Sequence, residues 1–137
     1  MTQEQKYLVL KDLCARLPYG VKIAMPGLWD SKITIEPLNE IFKGDDGLFR
    51  ANGNGHCIEY IKPYLFPISS MTDEQIYQSP FGYATMDTIR QDDSWSTITI
   101  GCREYDDIID WLNKNHFDYR GLIPMGLALD ATGLNIY

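Results

Sequence analysis

The stretch Tyr105–Asp130, YDDIIDWLNKNHFDYRGLIPMGLALD, constrains the fold most, because it carries more apolar surface than one short helix can hide. Ile108, Ile109 and Leu112 recur at helical spacing with Trp111 beside them, which predicts an amphipathic helix facing a core. Asp106 or Asp107 is placed to cap its start, where a carboxylate accepts free first-turn N–H groups and meets the positive dipole end. Asn115 is placed to end it in the left-handed conformation. Beyond lie Phe117, Tyr119, Leu122, Ile123, Met125, Leu127 and Leu129, punctuated by Gly121, Pro124 and Gly126. That run has to fold back on the domain as a compact turn or short helix, with a fraying end after it.

The remaining chain supplies what this segment packs against. Thr2 with Gln5 is a capping-box pattern, and Tyr7, Leu8, Leu10, Leu13, Cys14 and Leu17 give a helical face stopped by Pro18 and Gly20, so 1–17 reads as a helix. Val21–Met25 and Lys32–Leu38 read as strands around a Pro26-Gly27 turn, with Ile33 and Ile35 alternating against Thr34 and Glu36. Gly47–Ala51 and His56–Ile61 suggest a hairpin around Asn52-Gly53-Asn54-Gly55, which makes 18–62 a β-meander. Pro63 and Pro67 argue that the chain then leaves the sheet. Thr72 with Gln75 predicts a helix from Asp73, interrupted by Ser79-Pro80 and Gly82, so 63–94 is a junction with a weak helix. Trp95–Cys102 alternates like a strand, and 95–137 closes the chain with strand, helix and apolar tail. The expected architecture is a single α+β domain over 1–137: a small antiparallel sheet or partly closed barrel packed with an N-terminal and a C-terminal helix.

Charge and cysteine usage narrow the setting. Residues 1–60 hold seven basic and eight acidic side chains, and residues 61–137 hold five basic and eleven acidic ones, so most of the net −7 lies in the second half. Phosphate-backbone binding draws its affinity from Lys and Arg, so nonspecific nucleic-acid binding and binding to anionic membranes are not expected. Asp87, Asp92, Asp93, Glu104, Asp106, Asp107 and Asp110 define an acidic surface, whose spread favours a solvated face over one that meets a basic partner or mimics nucleic acid. Cys14, Cys57 and Cys102 are odd in number and far apart, which suits free core thiols in a reducing cytoplasm. The polar start MTQEQK is no secretory signal, and no apolar run approaches the roughly 18 residues of a membrane span.

Two segments carry a resemblance. IKPYLFPISSMTDEQ (Ile61–Gln75) and DWLNKNHFDYRGLIPMGLALDA (Asp110–Ala131) together cover about a quarter of the chain. They resemble segments of small proteins encoded by gut anaerobes of the Bacteroidales type and by their phages and mobile elements. Those proteins carry a variable β-rich front, a KPYL-x-P-x-SSMT junction and a DWLN-x-x-HFDYRGLI segment. The resemblance implies cytoplasmic expression and a mobile-genetic setting, and it implies no activity. Gln78–Gly82 departs from the pattern by cutting short the helix that follows SSMT.

The chemistry-bearing residues are few. His56 and Cys57 are neighbours on a strand and so point to opposite faces, which disfavours a thiol–imidazole pair. No HExxH, paired CxxC, calcium-type loop, phosphate loop or Gly-x-Ser-x-Gly is present, and no cofactor or metal is expected. The run His116–Arg120 is the strongest candidate site. As a binding surface, His116, Asp118, Tyr119 and Arg120 would offer an imidazole, an acceptor, an amphipathic ring and a fork of donors, with a ligand groove beneath Tyr64. As structure, Asp118 and Arg120 would instead hold backbone groups while Phe117 and Tyr119 enter the core, and this reading is preferred. The chain is therefore expected to be a non-catalytic module for an unknown protein partner. The alternative is a small-ligand-binding or metal-assisted enzyme centred on His116, Asp118 and Arg120.

Overall fold

The computed structural model describes residues 1–27, 29–53, 56–91 and 102–137. Helix α1 spans Gln3–Arg16 and opens on the expected capping box, with Thr2 and Gln5 exchanging side-chain and backbone hydrogen bonds. Its buried stripe is Val9, Asp12, Leu13 and Arg16, the i, i+3, i+4, i+7 pattern of one helical face. That stripe differs from the expected one: Tyr7 and Cys14 are exposed, because the helix is turned to bring two charged residues inward. Cys14 is therefore not a core thiol.

Strands β1 (Lys22–Pro26) and β2 (Ile33–Pro37) form an antiparallel pair. The next hairpin is formed by β3 (Ile41–Lys43) and β4 (Phe49–Ala51) around Gly44–Leu48, one turn earlier than the sequence suggests. Asp46 and Arg50 fix that earlier turn with two short hydrogen bonds, and the Asp46 carboxylate also accepts the Leu48 N–H. Asn52 and Gly53 do take positive φ, but among the described residues a single bridge, Arg50 to Cys57, follows them.

Strand β5 (Lys62–Pro67) overturns the expectation that the prolines exclude it from the sheet interior. It pairs with β1, with β6 (Phe117–Asp118) and with β7 (Leu129–Asp130). The partners are staggered along it. Lys62 and Pro63 pair with β1, Tyr64 and Leu65 run parallel to β7, and Phe66 and Pro67 run parallel to β6. Neither proline is asked for an N–H by a partner strand. The sheet is thus five-stranded and mixed, with the small β3–β4 pair beside it; the class is α+β, and no barrel closes.

Helices α2 (Asp73–Gln78) and α3 (Tyr83–Gln91) follow, the first opening on the predicted Thr72–Gln75 capping box. Helix α4 spans Cys102–Lys114, which puts Asp106 and Asp107 in its second turn rather than at its cap. The strand expected over Trp95–Cys102 lies outside the described residues except at Cys102, which is helical. Ile108 and Leu112 are fully buried with Ile68, Ile76, Met86, Ile89 and Phe117 in one core cluster. A second cluster joins α1 to the sheet and takes in Leu122, Leu127 and Ala128 from the C-terminal segment. Among the described residues no helix is long and apolar enough to cross a membrane.

Candidate functional site

The polar run begins where α4 ends. Asn115 remains helical in its bonding, its backbone N–H and side-chain amide both donating to the Trp111 carbonyl. The left-handed residue is His116, at φ 63°, so the reversal falls one residue later than the sequence implies. That reversal sends Phe117 and Asp118 alongside β5, where the Phe66 N–H donates to the His116 carbonyl at 2.8 Å.

From there each polar side chain meets a structural partner. The two carboxylate oxygens of Asp118 accept the backbone N–H groups of Leu122 and Ile123, each at 2.8 Å. They satisfy donors of the turn that would otherwise be buried unpaired. Gly121, at φ +72°, makes the tight reversal into that turn. Arg120, expected on backbone, instead donates to one oxygen of Asp12 at 2.7 Å, and Arg16 donates to the other at 2.9 Å. Arg16 also donates to the Phe117 carbonyl at 2.6 Å. Asp12 and Arg16 are fully buried. The Tyr119 ring lies beside both guanidinium groups, with centroid distances of 5.4 Å to Arg16 and 4.6 Å to Arg120, and its hydroxyl meets Asn113 at 3.0 Å.

His116 is occupied differently. Its ring stacks on Tyr137 with centroids 3.8 Å apart and planes 14° from parallel. Burial, reinforced by the nearby positive charges of Arg16 and Lys22, pushes its pKa down to about 4, so the imidazole is neutral at pH 7. The Tyr137 hydroxyl donates to the Tyr64 carbonyl at 2.6 Å and accepts the Lys22 N–H at 2.8 Å. Burial raises its pKa well above the ordinary phenol value. The chain end expected to fray is therefore fastened to β1 and β5. Tyr64 itself packs with Ala24 and Ala131 under Leu129 and Ile136, against this tail.

The five residues singled out from sequence thus lie in one region, but they do not converge on a shared ligand position. Asp118 faces backbone, Arg120 faces Asp12, His116 faces Tyr137, and Tyr64 lies under the tail. Sequence reasoning missed Asp12, Arg16 and Tyr137. The first two look like an exposed i,i+4 ion pair, and only their place in the stripe with Val9 and Leu13 hints otherwise. Among the described residues no group of three or more His, Cys, Asp or Glu side chains is placed to hold a metal ion.

A groove of about 250 Å³ opens elsewhere, between α1 and the β3–β4 hairpin. Tyr7, Leu10, Leu48, Phe49 and Ile58 give it an apolar lining, and Lys6 pairs with Glu59 at 2.7 Å on its wall. Cys57, half-buried and free, completes one side. No protein-family model, curated protein or solved structure matches the chain.

Proposed function

We propose that this chain is a non-catalytic protein-interaction module that receives an apolar side chain of a protein partner in the groove between α1 and the β3–β4 hairpin. The observation that carries this reading is the commitment of Asp118, Arg120 and His116 to backbone, Asp12 and Tyr137. A small-ligand or metal-assisted enzyme built on those three would first have to release bonds that hold the fold. The groove offers exposed Tyr7 and Leu48 for contact, while its charged pair, Lys6 and Glu59, is internally neutralised. A net charge of −7 favours a basic partner, which it would steer at low salt. The resemblance of the KPYL and HFDYR segments supports a cytoplasmic, mobile-element setting for that partner.

The test uses the purified chain and a Tyr7→Ser, Leu48→Ser double variant as baits in lysate of the native cell. The captured protein is then purified and its affinity measured by calorimetry. The reading predicts a basic partner in defined stoichiometry, with affinity at least about tenfold weaker for the double variant at unchanged thermal midpoint. Equal affinity for both baits would move the interface elsewhere. Turnover of a small molecule, lost in an Arg120→Ala protein that still melts normally, would replace the module with an enzyme.

A further inference from the structure

We propose that two copies of this chain pair through their β2 strands, antiparallel and centred on Thr34, so that their sheets become one. Strand β2 ends the strand order, and among the described residues nothing pairs with its outer side. The Leu38 N–H donates to the Val21 carbonyl and the Gly27 N–H to the Lys32 carbonyl. Even-numbered positions therefore bond inward to β1, and the N–H and C=O groups of Ile33 and Ile35 point to the open edge. The side chains of Ile33 and Ile35 are 62% and 46% exposed, which is unusual for the apolar residues of a strand.

The occupant follows from the residues themselves. Lys32-Ile33-Thr34-Ile35-Glu36 is self-complementary about Thr34 when read antiparallel. In that register Ile33 of one copy exchanges both backbone hydrogen bonds with Ile35 of the other, which matches the groups that face outward. Lys32 then stands opposite Glu36 of the other copy in the non-hydrogen-bonded position, where side chains approach most closely. Glu36 has a use for it: its Oε1 is buried and has no hydrogen-bond partner among the described residues. Shifting the register by two residues keeps the backbone bonds but separates Lys32 from Glu36. Pro37, which has no N–H, limits the pairing at one end. This inference does not depend on the α1 groove, and it would make the module bivalent.

A strand pair of this length buries less than the roughly 1,000 Å² of a standard interface, so association is expected only at high protein concentration. Sedimentation of the full chain between about 10 µM and 500 µM should show the mass rise toward twice the monomer value. Lys32→Glu, a change at an exposed position, should weaken the dimer about tenfold, and Lys32→Glu with Glu36→Lys should restore it. Hydrogen exchange should slow at the Ile33 and Ile35 amides only in the concentrated sample. A monomer throughout, or a dimer indifferent to Lys32→Glu, would overturn the proposal. So would amides equally protected at both concentrations, since the edge would then be covered by the chain itself. Lys32→Glu and the exchange data decide the matter even where Glu36→Lys does not fold.

Discussion

Asp118 shows how a short polar side chain can fix a long apolar one. With both oxygens on the Leu122 and Ile123 amides, it sets the turn that drives fully buried Leu122 into the core beside Val9 and Leu13. Asp118→Ala leaves those amides without their acceptor and should cost about 2–3 kcal/mol of unfolding free energy in urea melts. His116 gives a separate signature. Its folded pKa of about 4 lies below the ordinary 6.5, so the unfolded chain binds the proton more readily. Stability should therefore fall as pH drops from about 6.5 toward 4, by at most on the order of 3 kcal/mol. His116→Asn keeps a residue that tolerates φ 63° and removes the titration, so its unfolding free energy should change much less across that window. The HFDYR run was legible in the sequence where Asp118 meets backbone and where Phe117 and Tyr119 enter the core. Its partners were not, because Asp12 and Arg16 acquire their meaning from Phe117 and Arg120, about a hundred residues away.

Local chemistry that stays local was readable at the level of elements. Both capping boxes, at Thr2 and Thr72, form as their spacing predicts. Thr2→Ala should destabilise the first turn of α1 by about 1 kcal/mol and speed exchange of the Gln5 amide, which loses its acceptor. Elements whose boundaries depend on distant partners were misread. The prolines of β5 looked like exclusions because a central strand ordinarily needs every N–H, and the staggered pairing of β1, β7 and β6 removes that need. The β3–β4 hairpin turns at Gly44–Leu48 because Asp46 and Arg50 lock that turn, an interaction that competes with the Asn-Gly signal downstream. The alternation of β2 was legible, but the exposure of Ile33 and Ile35 was not: the tail packs on their face at Ala24 and Tyr64 and leaves the edge strand open.

Across the whole molecule, the two ends of the chain hold each other. Arg16 on α1 grips the Phe117 carbonyl, Asp12 links Arg16 to Arg120, and Tyr137 ties the last residue to β1 and β5. The apolar surplus of the C-terminal third is what made this closure predictable; its buried ionic clasp was not. A buried carboxylate between two guanidinium groups is costly to break, since removing it strands charge in the interior. The most direct test is equilibrium urea unfolding of Asp12→Ala beside the unaltered chain. A loss of about 3–5 kcal/mol, with the Phe117–Ile123 amides becoming the first to exchange, is the predicted result. An unchanged midpoint with those amides still protected would contradict the claim that this clasp holds the C-terminal segment in place.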